Sequence, residues 1–111
     1  LMALAVTIGA FGAHGLKSKV SGEDLIIFET GVRYQIYHSI ALIILGLMTY
    51  IIPNLKLSMI GYLFTSGILL FSGSLYILVL TNLRWFGAIT PFGGLCFIFG
   101  WILLAIKLFK S

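Results

Sequence analysis

The sequence has few charged residues, and this scarcity excludes most classes of soluble protein. Charged side chains make up 9% of the 111 residues, whereas apolar residues make up 60%. An average soluble domain has roughly 25% charged residues, so this composition cannot cover a water-facing surface. Low charge with high hydropathy also excludes a disordered chain, and the single cysteine, Cys96, excludes a disulfide scaffold. An integral membrane protein is the class that remains.

The few charges divide the chain into long uncharged stretches. Residues 34–55, 57–83 and 85–106 contain no charged side chain. At about 1.5 Å per helical residue, each stretch exceeds the roughly 30 Å of the hydrocarbon core. The first stretch, 1–16, is shorter, and we expect it to be a fourth span whose outer end precedes the numbering. A signal peptide is the alternative for this end, but no basic segment precedes the apolar residues.

The sequence predicts an all-α membrane protein, a four-transmembrane-helix antiparallel bundle that forms a single domain over residues 1–111. Uncharged spans of this length are helices rather than barrel strands when their apolar and polar residues do not alternate with a period of two. A short interfacial helix is predicted between the first two spans, because Ser21 and Asp24 form an N-cap pattern and Gly31 allows the chain to turn. The predicted transmembrane helices cover about residues 1–14, 34–52, 57–81 and 91–109, and the interfacial helix about 22–30.

Turn-forming residues predict the ends of the later helices. Pro53 and Asn54 are typical of a tight turn between the second and third spans. Asn82 can adopt the left-handed conformation that ends a helix. Thr90 and Pro91 fit the N-cap and the first helical position of the last helix.

Small residues that recur at intervals of four or seven predict where the helices pack. Apolar burial gives helices no preference for each other over lipid tails, so association depends on close backbone approach at small side chains. The predicted packing positions are Ala5, Gly9, Ala13, Gly46, Gly67, Gly73, Gly93 and Gly100.

An up-and-down path would gather most polar residues at one membrane face, on the side of the 15–33 loop. Glu29 and Arg33 are four apart and predict an ion pair, while Tyr34 and His38 predict a hydrogen bond. We expect His14 to lie at a depth comparable to that of His38. Ionisable groups within a membrane are costly, which makes this face the candidate site. The candidate polar cluster is His14, Glu29, Arg33, Tyr34, Gln35, Tyr37, His38, Ser72, Ser74, Tyr76 and Thr90.

Four motifs in order resemble those of a known family. They are GAFGAHGL (9–16), FETGVRYQIYHSIAL (28–42), LFSGSLYILVLT (70–81) and GAITPFGGLCFIFGW (87–101). The chain is similar in these motifs to the small bacterial membrane proteins called YgdD or YwdK and to their eukaryotic relatives. The resemblance implies a four-helix, multi-pass protein of the bacterial plasma membrane, or of an organelle inner membrane in eukaryotes. It implies no known activity, because the family is a domain of unknown function.

The interpretation we favour is a non-catalytic accessory or stabilising protein. It would act through a membrane-protein partner, through self-association as a homo-oligomer, or through membrane lipids. Arg33, Lys17 and Lys19 would then contact lipid phosphates or acidic groups of the partner. The sequence contains no complete catalytic constellation, and it indicates no metal site and no cofactor. Nucleic acid is not expected as a partner, since the basic residues form no patch.

Two alternatives stay open at this point. In the first, the candidate polar cluster lines the pocket of a small channel or transporter, with the helix start at Thr90 available to an anion. The almost wholly apolar opposite half argues against a continuous polar path. In the second, His14 and His38 bind haem or a metal ion between neighbouring helices. Two histidines without carboxylates or further cysteines would make a poor zinc site.

Overall fold

The computed structural model describes residues 1–16 and 18–110, and within these residues it contains helices and no β-strand. The prediction of an all-α protein is confirmed. A short 3-10 turn, Arg84–Ala88, precedes the last helix. The four helices are α1 (Met2–Leu16), α2 (Gly22–Ile51), α3 (Ser58–Thr81) and α4 (Thr90–Lys110).

Three of the helices are long and apolar enough to cross a membrane. They are α2 with 30 residues, α3 with 24, and α4 together with its 3-10 turn with 27. The apolar helix α1 is shorter, and at 1.5 Å per residue it reaches about 22 Å, less than the hydrocarbon thickness. A membrane crossing by α1 therefore stays a prediction.

Helix α2 begins twelve residues before the predicted second span. The segment 22–30, predicted as a separate interfacial helix, is instead the first part of α2. Ser21 caps this helix as predicted, because its side-chain oxygen accepts a hydrogen bond from the Asp24 backbone N–H at 3.1 Å. The predicted turn at Gly31 is wrong, since Gly31 lies within the unbroken helix. Its small size serves packing, because a Cβ there would lie 2.8 Å from the Tyr76 ring.

The other helix ends follow the predicted signals with one exception. Pro53 and Asn54 lie in the turn after α2, and Asn82 ends α3 with a left-handed φ of 58°. The predicted N-cap role of Thr90 is wrong, because α4 begins at Thr90 itself and the Thr90 hydroxyl hydrogen-bonds Ser74 on α3. Pro91 is therefore the second helical residue rather than the predicted first. The 3-10 turn explains why no such cap is needed: it leads directly into α4, and the Phe92 N–H donates to the Ile89 carbonyl.

The helices are antiparallel, and each packs on the next in sequence. Gly9 of α1 lies against Val32 of α2, and Gly12 lies against Phe28, so the two helices run in opposite directions. The same reversal relates α2 to α3, where Tyr34 contacts Phe71 and His38 contacts Phe64. It also relates α3 to α4, where Ser74 bonds Thr90 and Phe64 lies against Gly100. The molecule measures 49 × 26 × 15 Å, so its cross-section is wider than it is deep.

Close contacts between α3 and α4 occur at glycines. Gly93 lies directly against the backbone of Phe71. A Cβ on Gly67 would lie 2.5 Å from the Phe97 ring, and one on Gly100 would lie 2.5 Å from the Phe64 ring. These glycines therefore allow the aromatic rings of one helix to fit against the backbone of the other.

The remaining predicted packing positions divide into two groups. Ala5 is fully buried, and Gly9 has a close contact with α2. A Cβ on Gly46 or Gly73 would have nothing within 4 Å, and Ala13 is exposed. The last three do not mediate close packing within the described chain, because their helix faces point away from the neighbouring helices.

Replacement of Gly93 by alanine is expected to destabilise the protein. The added methyl group would overlap the Phe71 backbone, which cannot move aside as a flexible side chain can, so we expect a cost of about 1–3 kcal/mol. Gly46→Ala is the matched control, because a methyl group there enters open space. Unfolding of both variants in mixed detergent micelles measures the difference. Equal stabilities would contradict the close packing of α3 on α4.

Candidate functional site

One face of α2, here called the α2 seam, carries most of the buried polar contacts. Its positions alternate in spacing between four and three residues, as in helices that pack with a coiled-coil geometry. Every side chain on it is buried or half-buried. The α2 seam consists of Asp24, Phe28, Gly31, Gln35, His38, Leu42 and Leu45.

The first contact of the α2 seam is an ion pair at the start of the helix. The Arg84 guanidinium contacts both oxygens of Asp24, with Nη1–Oδ1 at 2.9 Å and Nη2–Oδ2 at 3.0 Å. This two-point contact joins the start of α2 to the 3-10 turn before α4. The predicted pair of Glu29 with Arg33 does not form in the described chain. Both side chains lie on the exposed side of α2, away from the seam.

Three hydrogen bonds follow about two to three turns further along α2, at 3.6 residues per turn. The Ser72 hydroxyl donates to the Gly31 carbonyl at 2.6 Å, and the Tyr76 hydroxyl donates to Gln35 Oε1 at 2.6 Å. Gln35 Nε2 in turn donates to the Leu1 carbonyl at 2.9 Å. Ser72 and Gln35 are 0% and 2% exposed. This network therefore ties α2 to α3 and to the residue that precedes α1.

His38 lies near the middle of α2 with both ring nitrogens in hydrogen bonds. The Trp101 indole N–H donates to His38 Nε2 at 3.0 Å, and His38 Nδ1 lies 2.9 Å from the Tyr34 carbonyl. Because an indole N–H can only donate, Nε2 is the acceptor, so Nδ1 carries the hydrogen and donates to the carbonyl. The ring also stacks on Phe97 at a centroid distance of 3.6 Å. The predicted hydrogen bond between the Tyr34 and His38 side chains is therefore wrong, because His38 bonds the Tyr34 backbone carbonyl instead.

A separate polar contact joins α3 to α4. The hydroxyls of Ser74 and Thr90 lie 2.5 Å apart, and Ser74 also donates to the Phe71 carbonyl at 2.9 Å. This pair lies beside the close contact of Gly93 with α3 rather than on the α2 seam.

The two histidines lie at different depths, so the expectation of comparable depth is wrong. Gly12 is level with Phe28 and Gly9 with Val32, which places His14 level with about residue 26 of α2. His38 is therefore about 18 Å further along the axis, at 1.5 Å per residue. His14 is also exposed, and no group of three metal-ligating side chains occurs among residues 1–16 and 18–110.

The candidate polar cluster predicted from the sequence is thus divided. Gln35, His38, Ser72 and Tyr76 meet along the α2 seam, and Ser74 meets Thr90 elsewhere. The five other members are exposed: His14, Glu29, Arg33, Tyr34 and Tyr37.

Several participants were not predicted as site residues, among them Asp24, Gly31, Arg84 and Trp101. Asp24 and Gly31 share the four-and-three spacing of Gln35 and His38, and this spacing is the sequence signal that could have found them. Trp101 offers no comparable signal, because it contacts His38 from a helix that lies 63 residues away in the chain.

The α2 seam holds helices together and leaves little for chemistry. In the described chain, Ser39 Oγ is the one buried side-chain polar atom without a hydrogen-bond partner. The other buried hydroxyl, amide and imidazole groups are engaged with neighbouring helices or with backbone carbonyls. A nucleophile with an adjacent base, the usual requirement for covalent catalysis, is not assembled from these residues.

Replacement of Trp101 by phenylalanine is expected to destabilise the protein, because His38 Nε2 would lose its donor within the membrane. Interhelical hydrogen bonds of this kind contribute about 0.6–1.7 kcal/mol. Trp85→Phe is the matched control, since Trp85 is 61% exposed and packs on its neighbour Phe86. The free energy of unfolding in mixed micelles should fall for Trp101→Phe alone. An equal loss in both variants would show that the indole N–H contributes nothing.

Comparison with known proteins places the chain in a family. Residues 8–94 match the family described as protein of unknown function (DUF423). The chain is 49% identical over 107 residues to a UPF0382 membrane protein of Staphylococcus aureus strain bovine RF122, covering 96% of this chain and 87% of the relative. It is 43% identical over 108 residues to the UPF0382 membrane protein YwdK of Bacillus subtilis, covering 96% and 88%. No solved structure matches. The chain therefore belongs to the DUF423 family and is an integral membrane protein.

Proposed function

We propose that this protein is a non-catalytic accessory protein that binds another membrane protein through the outer face of α4. One observation carries the proposal: the buried polar groups are occupied in contacts between helices, with Ser39 as the exception in the described chain. A protein built in this way acts through its surface rather than through a reactive site. The names of its relatives also state a membrane location and no reaction.

The outer face of α4 is the surface we assign to the partner. In an apolar 18-residue window of each span, 17% of the residues of α4 are buried, compared with 28% in α2 and 39% in α3. Six of the large exposed side chains of α4 recur at intervals of three and four along one face, the spacing with which a second helix packs. They are Phe92, Leu95, Phe99, Ile102, Ile106 and Phe109.

The transport alternative finds less support. The polar contacts of the α2 seam end at His38, and beyond it the helices meet through buried apolar side chains such as Ala41, Leu45 and Ile60. An ion that reached His38 would therefore have no polar groups to follow to the other membrane face. Purified monomer in proteoliposomes is expected to conduct no ions.

The haem alternative is also disfavoured by this geometry. His14 and His38 lie about 18 Å apart along the helix axis, by the 1.5 Å rise per residue, and one haem iron cannot bridge that distance. Both nitrogens of His38 are moreover held in hydrogen bonds. Purified protein should accordingly show no Soret absorption band.

Photo-crosslinking in native membranes tests the proposed surface. A photoreactive phenylalanine at Phe99, on the outer face of α4, is expected to yield a discrete adduct with one other membrane protein. The matched control is the same probe at Leu69, which is 65% exposed on α3 and should yield lipid adducts alone. The variant Phe99→Ala, combined with Ile102→Ala, should release the partner from a detergent pull-down while the protein stays folded. Lipid adducts at both positions would contradict the proposal, and so would an adduct of two copies of this chain.

A further inference from the structure

A cavity of about 370 Å³ lies at the end of the molecule opposite to the Asp24–Arg84 pair. It opens between the turn that follows α2 and the last turns of α4. It is lined by Ile52, Asn54, Leu55, Lys56, Lys107 and Lys110. None of the site residues described above takes part in it.

The topology brings three lysines together in this cavity. Lys107 and Lys110 are three residues apart, so they lie on one face of the last turn of α4. Lys56 reaches the same cavity from the turn between α2 and α3, because α2 and α4 end at the same side of the molecule. Lysines at a helix C-terminus stabilise the helix dipole, which accounts for two of the three positions. It does not account for Lys56.

No acidic side chain of the described chain lines the cavity to balance these charges. The acidic residues of the sequence are Glu23, Asp24 and Glu29, all in the first part of α2 and thus at the other end. The like charges of three lysines that line one cavity repel each other, and an anion among them would offset this repulsion. The missing counter-charge points to an anionic ligand.

The remaining lining indicates what kind of anion fits. Ile52 and Leu55 provide apolar surface next to the lysines, and Asn54 adds an amide that can donate hydrogen bonds. The cavity lies where three apolar helices end, which is the depth of lipid headgroups. We propose that this lysine cavity binds the phosphate of an anionic phospholipid, with the acyl chains against Ile52 and Leu55. The proposal does not rest on the accessory function proposed above.

Native mass spectrometry of the full chain released from nanodiscs tests this site. In nanodiscs that contain phosphatidylglycerol and phosphatidylcholine, the wild-type protein should retain phosphatidylglycerol. The variant K107Q/K110Q should bind it about 25-fold more weakly, taking about fivefold for each lysine near a membrane surface. The control K19Q/R33Q removes the same charge from the other end and should retain the lipid. The charge-conserving variant K107R/K110R should also retain it.

The contrary results are equally distinct. Equal losses in K107Q/K110Q and K19Q/R33Q would show diffuse attraction and overturn the proposal, as would full retention in K107Q/K110Q. In a further experiment, inorganic phosphate is added in excess. Displacement of phosphatidylglycerol by phosphate would assign the cavity to free phosphate rather than to lipid. If K107Q/K110Q does not fold, the single variant K56Q decides, with an expected loss of about fivefold.

Discussion

A polar group inside a bilayer must find its hydrogen-bond partner within the protein, and this constraint organises the structure. Backbone groups satisfy it by forming helices. Side chains satisfy it either at a carbonyl of their own helix, as His38 Nδ1 does at Tyr34, or across helix contacts, and here the α2 seam provides such contacts in sequence. Its ion pair at Asp24 and its hydrogen bonds at Gly31, Gln35 and His38 each involve a different partner. Rotation or sliding of α2 would break several of them together, so they fix its position.

Small residues and an irregular turn allow this polar seam to close. The middle of α3, Ile68–Ser72, is a π-helical turn. Phe71 in this turn lies against Gly93 of α4, and Ser72 bonds to the carbonyl of Gly31 on α2. A π-helical turn is wider than an α-helical turn, so it changes the direction of the side chains that follow it. In α3 this change lets consecutive residues contact α4 on one side and α2 on the other. The packing glycines and the polar contacts are therefore parts of one arrangement.

The sequence predicts those features that depend on local or compositional signals. The spacing of charges indicates three long spans, Ser21 indicates the start of α2, and Asn82 indicates the end of α3. The signal at Gly31 is ambiguous, because a glycine suits both a turn and a close contact with another helix. Only the tertiary packing of Tyr76 on Gly31 decides between the two.

The error about the histidines has the same origin. A second helix that began at residue 34 would place His38 near a membrane face, level with His14. Helix α2 instead begins at Gly22, which adds about three turns before residue 34 and moves His38 to the middle of the helix.

Contacts between distant parts of the chain, such as Arg84 with Asp24, have no local signal, because 60 residues separate the partners. The single polar cluster of the prediction therefore becomes a row of contacts along α2.

The two ends of the molecule differ in a way that follows from this arrangement. At one end a carboxylate and a guanidinium neutralise each other, whereas at the other end three lysines line a cavity that no acidic side chain of the described residues lines.

A double-mutant cycle between Gln35 and Tyr76 tests most directly the claim that the polar contacts of the α2 seam hold the helices in place. Gln35→Met and Tyr76→Phe each remove one partner, and the Leu1 contact of Gln35 cancels in the cycle. We predict a coupling free energy of about 0.6–1.7 kcal/mol. Additive effects, with coupling below about 0.3 kcal/mol, would contradict a polar seam that holds the helices in place.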